Sequence, residues 1–139
     1  MTKKVPFKRI GPDEARLYMG KAEEHLDAAK DNLAVGRWTA ATTLAVHAGI
    51  NAADAITGAR LGKRASGAQH EQVLTLLKDV PEADRARRYL RPLLATKPRA
   101  EYDPTQIRER PARRSVEQAE ELVSIARTVI ESVSRPPRR

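Results

Sequence analysis

The residues that most restrict the folds open to this chain run from Trp38 to Arg60, WTAATTLAVHAGINAADAITGAR, small and aliphatic almost throughout in a chain of which 32% is charged. At about 100° per residue, Ala41, Ala45, Ala48, Ala52 and Ala55 fall on one seam and Val46, Ile50 and Ala53 on a second. Thr43, His47, Asn51 and Asp54 form the narrow arc that stays polar. A helix apolar around most of its circumference must be covered on several sides, and its alanines let the covering elements come close. The expectation is an all-α bundle with this long second helix buried at its centre.

Composition agrees with that expectation. The chain has 139 residues, the length of one domain, and enough apolar surface for a core. Aromatic residues make up 4% and β-branched residues are scarce outside short helical patterns, which favours helices over sheet. Cysteine is absent, which excludes disulfides, thiolate metal sites and thiol nucleophiles. The start, MTKKVPFKRI, is basic with no apolar segment behind it, so no secretory signal is expected. Thr, His, Asn and Asp interrupt the central helix too often for a membrane span, so a cytoplasmic protein is expected.

Taken in order, residues 1–10 read as a basic arm tacked to the bundle by Val5, Phe7 and Ile10, residues 11–134 as the bundle, and 135–139 as a basic tail. Gly11-Pro12-Asp13 signals the first helix start, and Met19, Ala22, Leu26, Ala29 and Leu33 trace its apolar stripe. His25 lies at the stripe's boundary. Gly36 and Arg37 leave room only for an antiparallel hairpin into the central helix, with Trp38 plugging the bundle end. Gly58 and Gly62 close that helix, and residues 61–69 read as a polar loop. Val73, Leu74, Leu77 and Val80 mark a short third helix before Pro81.

Ala86, Tyr89, Leu90 and Leu93 mark a fourth helix whose exposed side carries Arg85, Arg87, Arg88 and Arg91, with an early or kinked end at Pro92. From Thr96 to Arg114 the density of Pro and Arg predicts an irregular connection, and Ser115 with Gln118 predicts a capping box for the last helix. There Val116, Ala119, Leu122, Val123, Ala126, Val129, Ile130 and Val133 form a core-facing stripe.

The charge of +8 is unevenly spread. Residues 85–114 hold ten Lys or Arg against three Asp or Glu, and both ends of the chain are basic. Such a distribution is the footprint of a surface that meets phosphate or an acidic partner, although charge runs also serve simply as solvated faces. Arg87, Arg88, Arg91, Arg99 and Arg108, with Tyr102 among them, are the candidate nucleic-acid contacts.

Catalytic motifs are sparse. There is no glycine-rich phosphate loop and no GxSxG, and His70-Glu71 lacks the second His of a zinc-protease helix. The three His residues show no metal-ligand spacing, so no metal and no cofactor is expected. Two constellations remain. His47, Asn51 and Asp54 share one helix face, either as a hydrogen-bonding site or as the strip that meets solvent or a second subunit. Arg64 precedes His70 with five residues between them, a pair in which Arg can hold a phosphate while His moves a proton.

The hairpin KAEEHLDAAKDNLAVGRWTAATTLAVHAGINAADAI, the HEQVLTLL segment, the RRYLRPLLATKPRAEYDP stretch and the final amphipathic helix, in that order, resemble the HEPN domain family from about Ala15 to Val133. The small-residue second helix, the His opening the third helix and Arg99-Ala-Glu-Tyr102 carry the likeness. The resemblance implies an up-and-down bundle of four to five helices, commonly dimeric, from toxin–antitoxin, abortive-infection or defence systems. Active members cut RNA without metal, using Arg, four to six residues and then His, paired across a dimer. Arg64 and His70 match that spacing. They depart from the pattern in the Ala65 that follows the Arg and in lying before the third helix.

The function expected is therefore a homodimeric HEPN-like protein that binds RNA or another polyanionic partner. A metal-independent ribonuclease toxin using Arg64 and His70 is one alternative. An adaptor for an acidic antitoxin or nucleotidyltransferase is the other.

Overall fold

A computed structural model describes residues 5–67 and 71–134. Among these, five helices and a two-stranded ribbon follow in the order β1 (Phe7–Arg9), α1 (Pro12–Ala34), α2 (Trp38–Leu61), β2 (Lys63–Ala65), α3 (Glu71–Leu77), α4 (Ala83–Tyr102) and α5 (Glu109–Ser134). The protein is an all-α bundle with α2 at its centre, packed against α1, α4 and α5 and, near its C-terminal end, against α3 and β2.

Pro12 at the first helical turn and Asp13 and Glu14 beside it start α1, where fixed φ and negative charge both suit a helix N-terminus. Its buried residues, Ala15, Met19, Ala22, Leu26 and Ala29, are the stripe read from the sequence. The helix stops at Gly36, whose φ of 81° lies in the left-handed region. There Arg37 N–H donates to the Asn32 carbonyl and Gly36 N–H to that of Leu33, the paired bonds of a Schellman ending. The chain turns at once into α2.

Ala41, Ala45, Ala48, Ala52 and Ala55 are fully buried, with Val46 and Ile56 beside them, which is the central helix the sequence predicts. Gly58 lies inside α2 instead of closing it, and the left-handed Gly62 forms the end. A Cβ at Gly58 would stand 2.5 Å from Ile10 Cδ1 and 3.1 Å from Ala15 Cβ, so the missing side chain makes room for Ile10. Trp38 opens the helix but does not plug the bundle. It is half-buried against Gly36 and stands outside the main core.

Three further expectations are corrected. Phe7–Arg9, read as part of a basic arm, pairs antiparallel with Lys63–Ala65, read as loop, in the register Phe7 with Ala65 and Arg9 with Lys63. Ile10 N–H donates to the Gly62 carbonyl at 3.0 Å and the Ile10 side chain is buried, so the ribbon lies along the end of α2. Pro92 and Pro98 do not end α4, which continues to Tyr102. Each proline removes one helical hydrogen bond. Burial of Leu90, Leu93, Leu94 and Ala100 holds the helix together across both positions, and Thr96 Oγ1 donates to the Pro92 carbonyl.

The last helix begins six residues before Ser115, which is buried in its interior and caps nothing. Pro111 falls in the first turn, where backbone N–H groups have no helical partner to lose. Only residues 103–108 are left irregular. Asp103 Oδ1 accepts from Thr105 N–H, and buried Ile107 donates its N–H to Thr39 Oγ1 at 3.0 Å, which fastens the turn to the start of α2.

Candidate functional site

The polar arc of α2 is divided among three neighbours. Asp54 is only 5% exposed, and its Oδ2 lies 3.8 Å from Arg64 Nε on β2. Burial pushes the carboxyl up from 3.8 to about 6, and the Arg64 charge opposes the rise. The Arg64 guanidinium also stands 5.2 Å from the ring centre of Tyr18 on α1. Its Nε is buried and donates no hydrogen bond. Asp54 and Tyr18 thus hold Arg64 by charge and by the face of a ring. His70 lies outside the described residues.

Further along α2, Asn51 Oδ1 is 2.8 Å from His25 Nδ1 on α1. An amide oxygen only accepts, so the proton in this bond sits on Nδ1. His25 and His47 rings are 5.7 Å apart, tilted by 37°. On the other side His47 Nε2 is 3.7 Å from Glu101 Oε1 of α4, and Glu101 Oε2 accepts from Lys97 Nζ at 2.7 Å. That hydrogen bond, with the Lys97 charge, holds the Glu101 carboxyl below its ordinary range against some desolvation. The arc is a seam of matched groups joining α1, α2 and α4. Sequence reasoning placed His25 only at the boundary of the α1 stripe and gave no site role to Tyr18, Lys97 or Glu101. An antiparallel hairpin turning at Gly36 brings residue 25 opposite residues 47 and 51, which was the available signal for His25.

The arginines of α4 are arranged differently. Arg87, Arg88 and Arg91, with Asp84 and Pro92, line an open groove of about 290 Å³. At about 100° per residue the three share one side of the helix, opposite the buried Leu90 and Leu93. Among the described residues none of the three forms an ion pair or hydrogen bond, and Arg87 Nε is buried without a partner. Asp84 also lines the groove but forms no ion pair with them among the described residues. Arg60 of α2 offers a contrast, donating from both Nε and a terminal nitrogen to Glu82 at 3.0 and 2.9 Å. Three guanidiniums with fifteen N–H donors and no ion-paired acid are suited to an anion with several acceptor oxygens.

Arg99 and Tyr102 occupy the last turns of α4, where Tyr102 is 76% exposed and Lys97 Nζ lies 5.9 Å from its ring centre. Arg108 stands across the turn at the start of α5, and its carbonyl accepts from Ala112 N–H. The continuous α4 therefore unites Arg87, Arg88, Arg91, Arg99 and Tyr102 on one element, with Arg108 apart from them. Among the described residues no group of three or more His, Asp or Glu is placed to hold a metal ion. No described helix is long and apolar enough to cross a membrane.

Comparison with known proteins bears on the whole bundle. A solved structure, the crystal structure of TT1696 from Thermus thermophilus, matches with a TM-score of 0.66 at 21% identity, over 83% of this chain and 97% of that one. At that identity the likeness speaks for the fold alone. Among curated proteins no sequence matches. The sequence profile of the HEPN domain matches residues 15–135, from the first buried alanine of α1 to the end of α5, and the chain belongs to the HEPN domain family.

Proposed function

We propose that this HEPN domain binds RNA or a similar polyanion through the outer side of α4, as a cytoplasmic homodimer in a toxin–antitoxin or other defence system. The observation that carries the reading is the groove in which Arg87, Arg88 and Arg91 stand together without an acidic partner. Unpaired guanidiniums at a surface keep a large part of their attraction for phosphate, since no internal ion pair must be broken first. The test is binding of a labelled single-stranded RNA over a range of salt concentrations. Affinity is expected to fall steeply with salt, and the Arg87→Ala/Arg88→Ala/Arg91→Ala variant to lower the slope by about two units, at roughly 0.7 per lost single-strand contact. No binding at low salt, together with capture of an acidic protein by the same arginines, supports the adaptor reading instead.

The ribonuclease reading needs Arg64 to hold a scissile phosphate, and Arg64 is engaged by Asp54 and Tyr18. That engagement favours binding over cleavage. RNA is expected to stay intact with purified protein in EDTA. Cleavage that persists in EDTA and is lost in both Arg64→Ala and His70→Ala makes the protein a metal-independent nuclease.

A further inference from the structure

Because α4 runs unbroken through both prolines, its outer side extends well beyond the arginine groove. Arg87, Arg88, Arg91, Ala95, Arg99 and Tyr102 fall within about 120° of the helix circumference, a strip roughly 22 Å long from Arg87 to Tyr102 at ~1.5 Å per residue. All are exposed except Arg87, which is half-buried. The strip has a polarity. Guanidiniums crowd its first half, its middle is the small side chain of Ala95, and its far end carries the most exposed aromatic ring among the described residues, Tyr102. Lys97 stands beside that ring. Its companion acid, Glu101, is occupied by Lys97 and faces His47, so it does not set a free negative charge against an approaching strand.

We infer that this strip is a track for single-stranded nucleic acid, with phosphates on Arg87, Arg88 and Arg91 and a base stacked on Tyr102; the inference rests on the polyanion-binding reading above. A cationic track ending in an exposed ring is the combination by which single strands are held without base readout. A base must be unstacked to lie on the tyrosine, which a paired duplex does not offer. The length of the strip suits about four nucleotides, the lower end of known single-strand platforms. An acidic peptide satisfies the arginines as well but has no base to stack on the tyrosine.

The test compares binding of a single-stranded oligoribonucleotide, the same strand in a duplex, and the same strand with abasic sites, by the full chain and by Tyr102→Ala and Tyr102→Phe. Tyr102 is exposed, so both variants are expected to keep wild-type helicity. Tyr102→Ala is expected to lose about tenfold in affinity for the single strand while Tyr102→Phe loses little, because stacking needs the ring and not the hydroxyl. The abasic strand is expected to bind equally to wild type and Tyr102→Ala, and the duplex more weakly than the single strand. Salt-dependent binding that is indifferent to Tyr102, or equal for duplex and single strand, overturns the track and leaves the polyanion reading standing. Absence of binding to every oligonucleotide at low salt overturns both.

Discussion

Arg60 near the end of α2 and Arg64 on β2, and Arg87, Arg88 and Arg91, on α4, are the same residue type in one small protein with opposite surroundings. Glu82 meets Arg60 with two hydrogen bonds, and Asp54 and Tyr18 meet Arg64. Among the described residues no acid forms an ion pair with the three on α4, although Asp84 lines the same groove. Matched arginines join elements: Arg60 ties α2 to the residue before α4, and Arg64 ties the ribbon to α1 and α2. Unmatched arginines join nothing among the described residues, so stability does not account for their clustering, whereas the function proposed above does. On the proposed function, the arginines that act on a partner are those with no acid in contact, whatever the number of positive charges.

The sharpest way to break this contrast lies at Asp54. A buried carboxyl with its pKa raised from 3.8 to about 6 binds its proton more tightly folded than unfolded, so stability falls as pH rises from about 4 to about 6 and stays low above that. Asp54→Asn removes the charge while keeping the shape. It is expected to stabilise the protein at pH 7 by about 2–3 kcal/mol and to flatten this part of the pH profile, as measured by urea unfolding between pH 4 and pH 8. A loss of stability at pH 7 means that the ion pair with Arg64 outweighs the burial of Asp54. Next in size is Ala52→Leu, at a position with no exposure in the centre of α2, where overpacking is expected to cost about 1–3 kcal/mol. A wild-type melting curve for this variant contradicts the close packing of α2.

Smaller again is Arg60→Ala, which leaves Glu82 partly buried without its cation and is expected to cost about 1 kcal/mol with RNA affinity unchanged. Arg88→Ala is expected to do the reverse, with stability within about 0.5 kcal/mol of wild type and a flatter salt dependence of RNA binding. Comparable losses of stability in these two variants erase the distinction between paired and unpaired arginines.

Much of the fold is legible locally. The alanine seam of α2, the stripe of α1 and the stop at Gly36 follow from spacing and from one residue's backbone freedom, and each appears where the sequence places it. What escaped depends on residues distant in sequence. Three-residue strands have too little pattern to announce themselves, and β1 exists because Ile10 finds the space at Gly58 and its N–H finds the Gly62 carbonyl. Pro92 and Pro98 argue locally for a helix end, yet Leu90, Leu93, Leu94 and Ala100 gain more by packing than two missing hydrogen bonds cost.

The candidate site divides in the same way. Charge density pointed to Arg87, Arg88 and Arg91 because their use requires only a shared helical side, which spacing reveals. The pairing of Arg64 with Asp54 was hidden, since it requires knowing how β2 lies against α2, whereas the hairpin turn at Gly36 already sets His25 opposite Asn51. Spacing to His70 alone made Arg64 resemble a free phosphate ligand.

The measurement closest to the central claim is a side-by-side salt titration of single-stranded RNA binding by wild type, Arg64→Ala and Arg87→Ala/Arg88→Ala/Arg91→Ala. The predicted result is that Arg64→Ala keeps the wild-type slope while the triple variant loses about two units of it, with a large loss of affinity. A triple variant that binds like wild type, beside an Arg64→Ala that no longer binds, contradicts the claim and moves the binding site from α4 to the end of α2.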